Sequence, residues 1–156
     1  MEVQRAIAAS PEAVFAVLSD PQGHVAIDSS GMLMSAEPGR VGKVGDTFVV
    51  HMDREALNDR PELGLYDVTN EITALEPDRE IAWTVRGRYN LGHVYGYRLE
   101  PIDAGTLVTS YYDWSAVDEQ RRGIFPIIPE SALRATLGIL ARTVAPGQPR
   151  PQLQAG

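Results

Sequence analysis

ESALRATLGILARTV, residues 130–144, is the stretch on which the fold turns. Pro129 stands just ahead of it and suits a first helical position, where its missing N–H costs nothing. On a wheel of roughly 100° per residue, Leu133, Leu137, Leu140 and Val144 fall on one line. Ala132, Thr136 and Ile139 lie beside that line, and Arg134, Gly138 and Arg142 take the far side. So broad an apolar stripe predicts a long helix laid on a sheet rather than on one neighbouring helix.

Upstream, the chain is mostly strand and turn. Val3–Ala8 has strand composition, and Ser10-Pro11-Glu12-Ala13 opens a helix with serine as N-cap and proline behind it. Val14, Phe15 and Leu18 make its apolar face, and 21–28 reads as a second short helix. After a possible strand at 31–36, Phe48, Val50 and Met52 alternate on one strand face. Tyr66, Val68, Asn70 and Ile72 do so on the next, and Ile81, Trp83 and Val85 on another. Segments 94–100 and 106–114, joined by the turn at 101–105, read as a hairpin by the usual turn signals. Short turns between successive strands imply an antiparallel meander. The expected architecture is α+β: a curved antiparallel sheet of about seven strands gripping the C-terminal helix, with two short helices after the first strand.

Composition narrows the function. At 156 residues the chain predicts one domain, 1–144, followed by a tail, 145–156, with the composition of a disordered end. A net charge of −7, with basic residues scattered, argues against nucleic acid as a partner. There is no cysteine, hence no disulfide and no thiolate nucleophile. The absence of a leader-like N-terminus and of any long apolar run points to a cytoplasmic protein without membrane insertion. No histidine pair stands at a metal-ligand spacing, so no metal is expected.

Several separated segments resemble, in order, one known superfamily. IAASPEAVFAVLSDP (7–21), the Gly42/Gly45 turn, DREIAWTV (78–85) and LEPIDAGTLVT (99–109) are similar to the START/birch-pollen-allergen-like (SRPBCC) superfamily, in its bacterial polyketide cyclase/dehydrase branch. The resemblance implies a helix-grip fold with an apolar cavity between sheet and long helix, and it requires no cofactor. It implies no single activity, because the superfamily spans aromatase/cyclases, lipid carriers, hormone receptors and chaperone-activating domains.

Parity assigns the cavity walls. With Trp83 inward, the lining takes Phe48, Val50, Met52, Tyr66 and Asn70 from the strands and Leu133 and Leu137 from the helix, with Met34 as an adaptable filler. Such rings either pack into a solid core or leave room for a ligand. Asn70 places an amide on an apolar face and therefore needs a partner from protein, water or ligand. Tyr95 and Tyr97 share a face, as do Tyr112 and Trp114; their parity stays open, and inward tyrosines would orient a ligand carbonyl or hydroxyl. His93 at the head of the tyrosine strand, Asp113 beside Tyr112, and His24 four residues before Asp28 are the candidate acid–base groups, with Tyr95 and Tyr112 as hydroxyl donors. His51 falls on the opposite face. The apolar run Ile124, Phe125, Ile127, Ile128 either packs inward or contacts another chain, a possible homodimer.

These residues make no complete catalytic constellation, so binding of a small hydrophobic molecule (polyketide, lipid or aromatic metabolite) ranks ahead of a cofactor-independent cyclase/dehydratase. An interaction domain with a filled core is the third reading.

Overall fold

The computed structural model describes residues 1–154. Seven strands form one antiparallel sheet: β1 (Glu2–Ile7), β2 (Leu33–Ala36), β3 (Thr47–Asp53), β4 (Leu65–Glu76), β5 (Glu80–Arg86), β6 (Asn90–Ile102) and β7 (Gly105–Asp113). They lie in the order β1-β7-β6-β5-β4-β3-β2, a meander from β2 to β7 with β1 added beyond β7. Four helices accompany them: α1 (Pro11–Leu18), α2 (Pro21–Ile27), the single turn α3 (Glu119–Arg122) and α4 (Glu130–Val144). The expected α+β helix-grip architecture is the one observed.

α1 and α2 start where their sequence says they should. Ser10 Oγ accepts from the Ala13 N–H at 3.2 Å and Asp20 Oδ1 from the Gln22 N–H at 3.0 Å, capping α1 and α2. Proline follows each cap. Gly23 lets the two helices touch, because a Cβ there would lie 1.9 Å from the Val17 carbonyl oxygen. Pro129 occupies the N-cap position of α4, one residue before the first helical position expected of it, and has no side chain to cap with. Leu133, Leu137 and Leu140 are buried along the predicted line. α4 packs on β1 and β7 and against α1 and α2.

One sheet face is apolar and faces the helices. Val3, Ile7, Phe48, Val50, Ile72, Ile81, Trp83, Tyr97, Leu99, Val108 and Tyr112 are buried on it. The other face is charged, and Gly96 leaves room there for the Tyr111 ring, which would lie 2.2 Å from a Cβ. That ring carries Arg98 over its face at 4.6 Å and donates its hydroxyl to Glu80 at 2.8 Å.

Two boundaries depart from expectation. Met34, expected in the lining, is 52% exposed. The edge strand β2 shifts register between Leu33 and Ser35, so Met32 and Ala36 are buried while Met34 turns to solvent. The tail, expected from composition to be disordered, is placed against the domain as far as Gln154: Pro151 is buried and Gln154 Nε2 donates to Asp103 at 3.2 Å. Residues 155 and 156 of that tail lie outside the described residues.

Candidate functional site

The end of β3, the start of β4, the β5–β6 hairpin and the end of β7 meet at one end of the sheet. Antiparallel register there sets Ile72 opposite Trp83, Trp83 opposite Tyr95, and Tyr95 opposite Tyr112. Side chains opposite each other in a ladder share a face, so a row of rings crosses the concave side. Tyr95 and Tyr112 stack at 4.0 Å with their planes 9° apart. Trp83 stacks on Tyr95 at 6.0 Å and reaches Tyr97 at 5.9 Å. From α2, His24 packs edge-on to Trp83 at 4.6 Å and against Phe48 at 5.0 Å. From the linker 115–128, Phe125 stacks on Trp114 at 6.2 Å and meets His93 at 5.3 Å.

Polar groups thread this row. His93, buried, shares a 2.7 Å hydrogen bond between Nδ1 and the Tyr112 hydroxyl. Burial lowers the His93 pKa, so the imidazole is neutral at neutral pH. Burial also pushes Tyr112 up to about 12, against the opposing pull of the Tyr95 hydroxyl and the Ile127 N–H. Tyr95 is pushed up as well, by burial and then by Tyr112, and Tyr97 by burial and then by the charge of Asp28. Asn70 is 6% exposed, opposite Phe48 on one side and Val85 on the other, and its Oδ1 is buried with no hydrogen-bond partner among the described residues.

At the mouth stands a group that the sequence reading did not single out. Arg54, whose side chain is 14% exposed, forks onto Asp59 with a 2.5 Å Nη2–Oδ2 contact. Hydrogen bonding to Asp59 raises its pKa, with a contribution from Tyr66, and its charge also reaches Tyr95. It was hidden in a loop, 53–64, whose composition reads as acidic and solvated; no periodicity marks a loop arginine as inward.

Most expected lining residues meet here. Phe48, Val50, Met52, Asn70, Trp83, Tyr97, Tyr112, Leu133 and Leu137 are buried, and Tyr66, Tyr95 and Trp114 are half-buried at the rim. The open parity resolves with His93, Tyr95, Tyr97 and Tyr112 inward. Two acid–base candidates fall elsewhere. Asp113 is exposed: it ends β7 pointing away from Tyr112's face and accepts from the Ser115 N–H at 2.9 Å, which holds its carboxyl below the usual range. His24 does not pair with Asp28. Its Nε2–H donates to the Leu18 carbonyl at 2.7 Å, and burial lowers its pKa to about 4. Asp28 instead accepts from Ser30, Gly31 and Leu33 in the turn after α2.

The rings pack against one another along the concave face, with centroids 4.0 to 6.2 Å apart. Two surface depressions lie outside this row: a groove of about 390 Å³ on the charged face, and one of about 130 Å³ between β1, α4 and the tail. No group of three or more metal-ligating side chains converges among the described residues, and no helix there is long and apolar enough to cross a membrane.

Comparison with known proteins places this architecture. The family model described as "Polyketide cyclase / dehydrase and lipid transport" matches residues 1–145. The chain belongs to this family. Its membership bears out the superfamily resemblance. Among relatives of the polyketide cyclase/dehydrase family chain, an uncharacterized protein, Rv0088 of Mycobacterium tuberculosis, is 26% identical over 152 residues, 91% of this chain and 62% of that protein. The chain thus spans about three-fifths of the length of that relative. Protein MLL2253 of Mesorhizobium loti superposes with a TM-score of 0.67 at 19% identity, covering 95% of this chain and 98% of the other. The Aha1 dimer of Colwellia psychrerythraea does so with a TM-score of 0.61 at 16% identity, covering 95% and 98%. At these identities the structural likeness speaks for the fold alone.

Proposed function

We propose that this chain binds a small, largely apolar molecule at the mouth end of the concave face, beneath the linker 115–128, with Asn70, Tyr95 and Tyr112 supplying the polar contacts. The observation that carries the reading is Asn70: an amide oxygen buried on an apolar face without a partner is costly unless something completes it. A ligand hydroxyl or amide would do so. The half-buried rim (Tyr66, Tyr95, Trp114, Phe125) supports entry at this end, with Phe125 moving aside to admit the ligand.

The chain reports on its own site, since its two tryptophans, Trp83 and Trp114, both stand in the ring row. Native mass spectrometry of the purified protein should reveal an added small-molecule mass that is lost on unfolding. Titration with the apolar dye 1-anilinonaphthalene-8-sulfonate should give saturable tryptophan-excited dye emission, weakened in Asn70→Leu. No added mass together with no saturable emission defeats the proposal and favours an interaction domain with a filled core, the reading that the ring-to-ring packing supports.

The enzymatic alternative rests on the His93–Tyr112 pair. When His93 Nδ1 carries the proton and donates, the Tyr112 hydroxyl is free to turn its own proton to a ligand carbonyl and polarise it. In a cyclase/dehydratase the neutral imidazole would then relay the proton as the new C–C bond closes and water leaves. Binding retained but turnover abolished in both Tyr112→Phe and His93→Gln, in a screen of poly-β-ketone thioesters, would favour it. The exposed Ile124 and Ile127 beside the mouth offer a surface on which a second copy of the chain could dock, tested by sedimentation at two concentrations.

A further inference from the structure

β1 is an edge strand, and its Arg5 shares parity with the buried Val3 and Ile7, so the side chain runs beneath α4 instead of out to solvent. The Arg5 guanidinium passes Gly138 of α4, where a Cβ would lie 3.8 Å from Nη1, an ordinary contact distance. The Arg5 Nε–H is buried and has no hydrogen-bond partner among the described residues. Arg5 is one of the residues lining the groove of about 130 Å³, with Arg142 of α4 and Arg150 of the tail, beside Gly147 and Gln148.

The charge balance of this groove is the reverse of the chain's. Three of fourteen basic residues line it, and none of the twenty-one acidic residues does, in a protein of net charge −7. Of the eleven other basic residues, six (Arg40, Arg54, Arg79, Arg86, Arg98 and Arg134) meet a carboxylate. Arg142 alone could be read as a cation placed at a helix C-terminus, where the macrodipole favours it. That account covers neither Arg5, on a strand, nor Arg150, in the tail. A guanidinium presents five donors in a fixed fork and accepts nothing, so three guanidinium groups around one groove, none of them paired with a carboxylate among the described residues, leave donors that an oxyanion completes. Pockets for whole small molecules run to roughly 300–1,000 Å³, so this one suits a single charged group.

We propose that the groove between β1, α4 and the tail binds an oxyanion of the phosphate class, held by Arg5, Arg142 and Arg150. The site lies apart from the ring row and does not depend on the function proposed for it. The oxyanion is either a free phosphate ester or a phospholipid headgroup.

Nitrogen-15 NMR of the full chain, titrated with inorganic phosphate against chloride at matched ionic strength, tests this. Phosphate should give a saturable shift of the Arg5 Nε–Hε resonance and of the Gly147 and Gln148 amides. Arg142→Gln combined with Arg150→Gln, both exposed and so neutral to the fold, should weaken binding about tenfold or more, since each removes a charge-assisted bond. Glycerol 3-phosphate that binds while phosphatidic acid/phosphatidylcholine vesicles do not assigns a free ester. Co-sedimentation with those vesicles, lost in the double variant, assigns a headgroup. Shifts no larger than those with chloride, or unchanged in the double variant, overturn the site.

Discussion

Tyr111 and Tyr112 are adjacent residues with opposite fates, and the difference measures what the concave face demands. Tyr111 lies on the charged face with Glu80 as its acceptor, whereas Tyr112 is fully buried with His93 as its partner. Removing one partner of a buried pair strands the other, at about 1–3 kcal/mol, while the net worth of a hydrogen bond at a wetter site is nearer 1 kcal/mol. Tyr112→Phe should therefore lower the urea-unfolding free energy by about 1–3 kcal/mol and by more than Tyr111→Phe; equal losses would mean that His93 finds another partner. Sequence parity carried Asn70 to its buried place because three apolar neighbours on the same strand fixed the face. It could not orient β7, whose two faces carry Tyr111 and Tyr112. Nor could it see that Met34 sits at a bulge or that Arg54 turns inward from a loop. Met34 is placed by the register shift of β2 on β3 and Arg54 by its fork onto Asp59, neither of which leaves a periodic signal.

Among the elements, α4 was the most legible, since a 3.6-residue period over four turns leaves one reading of its buried line. Leu137 is 1% exposed on that line, and Arg134 faces outward, paired with Glu130 at 3.3 Å. Leu137→Ala should cost about 2–5 kcal/mol through lost burial and the cavity left behind. Arg134→Ala should stay within about 0.5 kcal/mol, as an exposed helical pair is worth little. Comparable losses in the two denaturation curves would mean that α4 is not anchored by its leucine line. The α1–α2 corner makes a sharper demand. At Gly23 the obstruction is backbone, so neither partner can yield by rotating a side chain. Gly23→Ala, although it favours helix intrinsically, should lower the melting temperature by several degrees (about 1–3 kcal/mol of overpacking); a neutral result would show that the two helices have slack between them.

Over the whole molecule, the three histidines tilt stability in two opposite directions with pH. His24 is held neutral in the native state at a pKa of about 4, by burial first, against the Leu18 carbonyl and Asp20, whereas in the unfolded chain it titrates near its ordinary value of 6.5. Between those two values the unfolded state binds a proton that the native state refuses. Its contribution is therefore complete above pH 6.5 and drains away as pH falls towards 4, on the order of 3 kcal/mol in all. His93, also lowered by burial, acts in the same sense. His51 works the other way. On the outer face its ring bonds Asp67 at 2.7 Å and Glu37 at 3.2 Å, and these partners raise its pKa. Its contribution is present below pH 6.5 and lost as pH rises through that raised value, and salt screens it because the ring is exposed. Stability should thus peak near the ordinary histidine pKa, with an acid limb that salt leaves largely intact and a shallow alkaline limb that salt flattens. In His24→Gln, which keeps an N–H donor for the Leu18 carbonyl and cannot titrate, the acid limb between pH 6.5 and 4 should flatten while His51→Gln removes only the alkaline limb. Urea midpoints at half-unit pH steps in low and high salt read both slopes directly, and an unchanged acid slope in His24→Gln would mean that carboxylates or His93, and not the imidazole packed on Trp83, govern how this domain yields to acid.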